Sequence, residues 1–265
     1  NIMAKTLAEL REMHKNMNAE PKKNAGSSNG FWSPKEGDNL VRFLPGKEDP
    51  LDFFVETKLH AYQDEGGKWS YYKCRRVEHE KCPMCELYYD LWKKHNALGL
   101  GREDDSKFST MARMIKPRPR YYAKAVIRSL EEEGQDPVRI ISMSKQLFDR
   151  VMQTMIEPDF QDEDDPDNTT MISLSRGNDF NIRVTKQGQW PSYVESAGKY
   201  KKTPAAKTDA LIAAYMDNEL NIKSLGEIDS YEKGKEVTMN LESSLNPVKT
   251  ESSPPWSEDE GGLQV

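Results

Sequence analysis

Short stretches in which apolar and polar residues alternate recur along the middle of the chain. A period of two places successive side chains on opposite faces, which is typical of β-strands with one buried face. Two glycines, Gly66 and Gly67, separate two such stretches and predict a hairpin turn. The predicted strands cover residues 40–44, 53–61, 69–74, 121–129, 137–143, 171–174 and 179–185.

Apolar residues spaced three or four positions apart predict helices elsewhere in the chain. The first helix occupies residues 3–17, where Thr6 and Glu9 have the spacing of a capping box. Leucine and methionine side chains form an apolar stripe along it. Further helices are predicted from Cys85 to Trp92 and over residues 145–155 and 204–220.

Loops and linkers separate these elements. Residues 99–110 are rich in Gly, Asp and Ser, and the acidic stretch 157–168 is expected to be a solvated loop. Residues 20–30 have the composition of a flexible linker, and the Pro/Ser/Glu-rich sequence after Asn246 is typical of disorder. Five or more short strands with a Gly-rich hairpin and interrupting helices predict a mainly β fold with α elements, built on an OB-fold barrel.

Composition and charge narrow the functional classes. Charged residues make up 31% of the chain and the mean hydropathy is −0.85. No apolar run reaches the roughly 18 residues of a membrane span, so we expect a cytoplasmic protein with no membrane partner. The net charge of −6 is unevenly distributed: residues 1–30 are net basic, and after them two larger net basic blocks alternate with two net acidic ones. The basic blocks, residues 31–130 and 176–208, could together bind a polyanion.

The 3 cysteines of the chain are clustered, which favours a metal site over disulfides. Cys82 and Cys85 form a CxxC pair, the usual nucleus of a zinc site, and Cys74 lies nearby in sequence. The predicted hairpin brings His60 beside Cys74, while His79 is the competing fourth ligand. Four protein ligands leave no position for water, so we predict one structural Zn²⁺ that stabilises a small subdomain.

Cations and aromatic rings are interleaved in three segments, an arrangement that favours binding to single-stranded nucleic acid. Cations neutralise phosphates, and flat rings stack on unpaired bases of any identity. Packing in the core is the alternative for each aromatic residue taken singly. The candidates from these segments are Trp69, Tyr72, Arg113, Lys116, Arg118, Arg120, Tyr121, Tyr122, Lys186, Trp190 and Tyr193.

With these residues the chain resembles the T-even bacteriophage single-stranded DNA-binding protein family. The similarity extends from about Lys5 to Tyr200, and the order and spacing of the motifs agree throughout. It rests on Lys5–Leu10, Val41–Pro45, His60 followed by Gly67-Lys68-Trp69 and the three cysteines, Tyr121-Tyr122-Ala123, and the segment around Trp190 and Tyr193.

The resemblance implies a sequence-independent, cooperative single-stranded DNA-binding protein without catalytic activity. Such a protein would act in phage DNA replication, recombination and repair, in the cytoplasm of the infected bacterial host. The resemblance favours His60 as the zinc ligand and adds Arg42 and Phe108 to the candidate DNA contacts. It also implies contact between neighbouring copies through the N-terminal arm, with Lys5, Thr6, Leu7 and Arg11 as candidates.

The predicted organisation follows from these observations. An OB-fold core at residues 39–225 carries an inserted zinc-binding subdomain at about 53–110. An N-terminal helical arm (1–20) and a linker (21–38) precede the core, and an acidic, largely disordered tail (226–265) follows it. By resemblance, the tail recruits replication and recombination proteins.

A zinc-containing transcription or RNA-regulatory protein is the alternative from another functional class. Such a protein would discriminate among nucleic-acid sequences, whereas stacking on bases of any identity would not. A nuclease would need a constellation of carboxylates for Mg²⁺, and none stands out from the acidic loops.

Overall fold

The structure is a computed structural model, which describes residues 30–64, 66–164, 168–188 and 190–245. These residues form two compact units. The first contains the described residues up to Leu59 and Arg118–Ile228, and the second contains His60–Pro117 and the described residues from Asp229 onward. The predicted N-terminal arm, with Lys5, Thr6, Leu7 and Arg11, and the chain beyond residue 245 lie outside the described residues.

The protein has a mixed α/β fold dominated by a sheet, as the sequence predicts in its coarse form. The strands that the structure describes are β1 (Phe31–Trp32), β2 (Gly37–Phe43), β3 (Phe54–Gln63), β4 (Trp69–Lys73), β5 (Arg118–Ile127), β6 (Val138–Met143), β7 (Gly177–Gln187), β8 (Trp190–Ser192) and β9 (Ala197–Thr203).

Strand β5 is the centre of the first unit, because it pairs with three neighbours. Its residues Arg118–Ala123 pair antiparallel with β3, Tyr121–Val126 pair with β6, and Ala125–Ile127 pair with β2. Strand β2 continues antiparallel to β7, which also pairs with β8 and β9. The short strand β1 runs parallel to β6 at the other side.

The burial pattern explains why β5 is central. Its residues from Tyr121 to Ile127 are all buried, which is typical of a strand covered on both faces. Tyr121, Ala123 and Ile127 pack in the main core of the first unit with aromatic and aliphatic residues of β2 and β7. Val126, on the opposite face, packs in a separate apolar cluster with Leu44.

The helices described by the structure are α1 (Pro83–Asn96), α2 (Lys107–Ile115), α3 (Arg128–Glu132), α4 (Lys145–Ile156), α5 (Asp209–Met216), α6 (Lys223–Gly226) and α7 (Tyr231–Leu245). Side-chain caps fix several starts: the hydroxyls of Ser106, Ser144 and Thr208 each accept a hydrogen bond from a backbone N–H in the first helical turn. Within the described residues, none of these helices is long and apolar enough to cross a bilayer.

The second unit combines the end of the β3–β4 hairpin with α1, α2 and α7. Its core is a cluster in which Tyr72, Met84, Leu91 and Ile115 are fully buried. The three cysteines belong to this same cluster. The apolar side chains therefore enclose the candidate metal ligands directly.

Four predictions from the sequence differ from the structure. Residues 171–174, predicted as a strand, contain a 3₁₀ turn at Thr170–Ile172. Helix α2 begins inside the predicted loop 99–110, because Ser106 caps it. The predicted linker 21–38 includes β1, which pairs with β6. Residues 231–245, assigned to the acidic tail, form helix α7, since Val237 and Leu241 pack one helical turn apart in the second core.

Candidate metal centre and nucleic-acid interface

Three local structures bring the predicted metal ligands together. His60 lies on β3, Cys74 follows the last residue of β4, and Cys82 and Cys85 lie at the start of α1. Cys82 is the N-cap residue, and Pro83 occupies the first position of the helix, where no backbone N–H is needed. All four side chains are buried, and their ligand atoms lie within 4.8 Å of one another.

The distances between these atoms describe a compact cluster. The Cys74 sulfur lies 3.8 Å from the Cys82 sulfur and 3.6 Å from that of Cys85. The Nε2 atom of His60 lies 3.5 Å from each of the Cys82 and Cys85 sulfurs. No disulfide links the three cysteines. The arrangement is consistent with one metal site.

His60 is oriented by its other ring nitrogen, which lies 2.6 Å from the carbonyl oxygen of Ile115. An N–H donated from Nδ1 to a carbonyl leaves Nε2 free to bind a metal, as in many metal sites. Ile115 ends α2, so this helix supports the site although it supplies no ligand. His79, the competing ligand, is exposed and lies outside the cluster.

The electrostatics of the cluster favour a thiolate at Cys82. Hydrogen bonds from Cys74 and then Cys85 hold the pKa of the Cys82 thiol well below its ordinary value. Hydrogen bonds with Cys74 and Cys82 raise the pKa of Cys85, so the cysteines do not all ionise together without a cation. Burial opposes charge on His60, but hydrogen bonds with Cys74 and Cys82 raise its pKa to about 9. Thiolate is the form of cysteine that binds metals.

Several candidate DNA contacts present exposed side chains. Trp69 in the second unit is 53% exposed, and Trp190 in the first unit is 69% exposed. Lys116 and Arg118 are also exposed. Their rings and charges are accessible for stacking and for phosphate contact.

Other cationic candidates have partners within the protein. Lys186 is exposed but lies 2.7 Å from the carboxylate of Glu36. Arg113 lies 2.5 Å from Asp105, and its guanidinium also donates to two backbone carbonyl groups. Arg120 is half-buried. Exposed ion pairs are weak, so a phosphate can compete for these cations at modest cost.

The remaining aromatic candidates are partly or largely used in packing. Tyr121 stacks on Phe148 with ring centroids 3.8 Å apart, and Tyr122 packs edge-on against Phe31. Phe108 is half-buried against the core of the second unit, and Tyr193 is half-buried against the core of the first. Each of these rings has at most part of its surface available to a base.

Arg42 and Tyr72 are fully buried, which argues against direct contact with DNA. Arg42 forms an ion pair with Asp179 at 2.8 Å and donates to the carbonyl oxygens of Ser173, Thr203 and Gly177. The Tyr72 hydroxyl donates to the Ser230 carbonyl. Both side chains are held by hydrogen bonds inside the protein, although the buried Nε of Arg42 has no partner among the described residues, so we leave them out of the interface.

Two features of the candidate metal and nucleic-acid sites were not predicted from the sequence. The carbonyl of Ile115 orients His60, and a backbone atom leaves no signal in a residue pattern. The guanidinium of Arg76 lies 5.3 Å from the ring centroid of Tyr89, which is half exposed. The helical spacing of the aromatic residues in α1 was a possible signal for Tyr89, since it places this ring away from the buried face.

Comparison with known proteins identifies a DNA-binding family for this chain. A family model described as gp32 DNA binding protein like matches residues 35–244. The match includes every described candidate for metal binding and DNA contact. No curated protein matched the chain.

Proposed function

The chain belongs to the gp32-like DNA-binding protein family, and from this premise we propose that it binds single-stranded DNA cooperatively and independently of sequence. It acts without catalysis in phage DNA replication, recombination and repair, protecting single strands and removing their secondary structure. The observation that carries the proposal is the family match over most of the chain. The family is one of DNA-binding proteins and not of enzymes.

The exposed side chains support a stacking mode of binding. Trp69 and Trp190 offer flat, accessible rings, and stacking on such a ring is worth roughly 1–3 kcal/mol per base. Exposed cations such as Lys116 and Arg118 hold the backbone phosphates, with release of counterions. Bases in a duplex are unavailable for this stacking, so the protein favours single strands and melts duplex by mass action.

We assign the metal as a single structural Zn²⁺. With Zn–S bonds of about 2.3 Å and Zn–N bonds of about 2.05 Å, a tetrahedral site has S···S edges of about 3.8 Å and N···S edges of about 3.6 Å. The separations between 3.5 and 3.8 Å fit those edges. Bound zinc supplies a permanent cross-link, and His60, Cys74, Cys82 and Cys85 hold it.

The finer organisation is proposed by family analogy. The antiparallel strands around β5 form an OB-fold barrel, the zinc-binding unit is inserted into it, and the N-terminal helical arm (1–20) binds the neighbouring copy along DNA. The acidic tail recruits replication and recombination proteins. The protein works in the cytoplasm of the infected bacterial host.

Fluorescence anisotropy with labelled oligonucleotides tests the proposed function. Mixed-sequence single strands of one length should bind with similar affinity, and duplex of the same length should bind much more weakly. Affinity should fall steeply with salt, and binding to long strands should be cooperative. Strong preference for one sequence, or equal affinity for duplex, would point instead to a transcription or RNA-regulatory protein.

A further inference from the structure

A cavity of about 380 Å³ lies in the first unit, and none of the candidate residues for DNA or metal binding lines it. Its walls come from the segment between β2 and β3, from β5, and from the segment between α5 and α6. The segment after β2 is tightly folded at Gly46, where a Cβ atom would lie 2.1 Å from the Asp49 carbonyl oxygen. This wall is therefore built in advance of any ligand.

Lys124 on β5 lines the cavity and is only 9% exposed. Among the described residues, no carboxylate lies within ion-pair distance of its ammonium group, and no hydrogen bond from that group is made. Burial, and then the charge of Lys47, lower the pKa of Lys124. Buried charges in proteins are normally paired, so an unpaired ammonium facing a cavity indicates that an anion belongs there.

The other charged residues that line the cavity are all exposed, and they comprise two lysines and four acidic residues: Lys47, Lys223, Glu48, Asp52, Asp217 and Glu219. Lys47 contacts Asp217 at 3.6 Å, and Lys223 contacts Asp52 at 3.6 Å. All four side chains are more than half exposed, so water screens them. Lys124 is therefore the one buried charged residue of the lining, and no carboxylate among the described residues forms an ion pair with it.

The rest of the lining is suited to a compact ring system with polar edges. Leu44, Phe53 and Ile222 contribute buried apolar surface. Asn218 and Asn221 line the cavity, and their side-chain oxygens accept backbone hydrogen bonds, which leaves their amide N–H groups as donors in the lining. The volume lies within the usual range of about 300–1,000 Å³ for small-molecule sites.

The geometry points to a binding site for a nucleoside 5′-monophosphate, with the phosphate on Lys124 and Lys47 and the base between the apolar walls. The phosphate chemistry is the same in a free nucleotide and at the 5′ end of a DNA strand. Binding of a free nucleotide does not depend on the proposed DNA-binding function. Binding of a strand end would rest on that function.

Titration of the full chain with dAMP, followed by ¹H–¹⁵N correlation spectra, tests the site. The amide of Leu44, which donates to the Lys124 carbonyl at 3.0 Å, is the reporter. We expect saturable shifts at Leu44 and Ile222, and binding of deoxyadenosine at least about tenfold weaker, since it lacks the phosphate. Absence of saturable shifts at millimolar dAMP, or equal binding of deoxyadenosine, would overturn the proposal.

The matched variants are Lys124→Met and Lys207→Met, which remove the same charge. Lys207 is exposed and does not line the cavity. Lys124→Met should weaken dAMP binding at least about tenfold while keeping or raising the melting temperature, because it removes an unpaired buried charge. Lys207→Met should bind dAMP as the parent does. Equal weakening in both variants would mean general electrostatic attraction and would refute the site.

Competition with oligonucleotides separates the two sources of phosphate. If a 5′-phosphorylated strand displaces dAMP from the parent protein and the 5′-hydroxyl strand does not, the site receives strand ends. If neither displaces it, the site receives free nucleotide; both outcomes support the site. Displacement by both strands equally would place dAMP in the DNA-binding surface and overturn the proposal. Internal single-strand affinity should be unchanged in Lys124→Met, so the site and the proposed function fail separately.

Discussion

Exposure divides the aromatic residues into those available to a base and those used in packing. Trp190 is mostly exposed, whereas Tyr72 is buried and bonded to a backbone carbonyl. Tyr121 lies between these extremes, since one face of its ring is covered by Phe148. The contribution of each ring to DNA binding should therefore separate from its contribution to stability.

The substitution Trp190→Ala should weaken single-strand binding by roughly 5- to 150-fold, the equivalent of about 1–3 kcal/mol for one lost stacking ring. The free energy of unfolding should change by less than about 0.5 kcal/mol, because little of this ring is buried. Anisotropy titration and urea denaturation measure the two quantities. Ile156→Ala is the matched control, since Ile156 is equally exposed, at 69%, and should change neither.

The two histidines near the cysteines provide a matched pair for the metal site. His60→Ala removes a ligand from the buried cluster, so the purified protein should lose zinc on dialysis and melt at a lower temperature. His79→Ala removes an exposed ring outside the cluster and should keep one zinc per chain. Metal analysis of the two variants decides the ligand; zinc loss from the His79 variant alone would reverse the assignment.

At the scale of elements, the sequence predicts the strands and helices in which apolar residues recur with a regular period. Strands β2, β3, β5 and β7 and helix α4 agree with the predictions to within a few residues. Strand β9 was missed because all of its residues are exposed or half-exposed, so the sequence lacks alternation. Helix α7 was missed because only Val237 and Leu241 mark its buried face in an otherwise polar sequence.

The candidate metal site could be predicted because its ligands are few and chemically distinctive. Three cysteines in one segment limit the possible ligands, and the hairpin places His60 near them. The role of Arg42 could not be predicted, since its partner Asp179 is distant in sequence. A cation inside an alternating strand appears available to a ligand until the buried partner is known.

Helix α7 supplies a prediction about packing. A Cβ atom on Gly234 would lie 2.6–3.0 Å from the hydroxyl oxygen, Cζ and Cε2 of Tyr72, which is fully buried. Gly234→Ala should therefore destabilise the protein by about 1–3 kcal/mol, even though alanine favours helices by about 1 kcal/mol. Asn240→Ala, on the exposed face of α7, should be neutral or slightly stabilising. Urea denaturation compares them, and equal stability would mean that Tyr72 can move.

At the scale of the whole molecule, charge segregation reconciles an acidic chain with a polyanionic ligand. The net charge of −6 would repel DNA if it were spread evenly. The net negative charge instead lies in residues 131–175 and 209–265, outside the net basic blocks 31–130 and 176–208. Binding should therefore depend on local cations. The slope of log affinity against log salt concentration should be about −0.7 per phosphate contact, so it reports the number of contacts.

The C-terminal sequence should compete with DNA for those cations. Residues 246–265 carry one lysine against four carboxylates: Glu251, Glu258, Asp259 and Glu260. Removing the segment should tighten single-strand binding at about 10 mM salt, where the screening length is about 30 Å, and have little effect at about 1 M, where it is about 3 Å.

Replacing the four carboxylates by amides keeps the length of the segment and removes only its charge. This variant should reproduce the effect of the deletion, because the competition is electrostatic. Anisotropy titrations over a range of salt concentrations measure all three proteins. Unchanged affinity at low salt in both variants would refute the competition. A gain in the deletion alone would assign the effect to the bulk of the segment, since the charges would then be shown to contribute nothing.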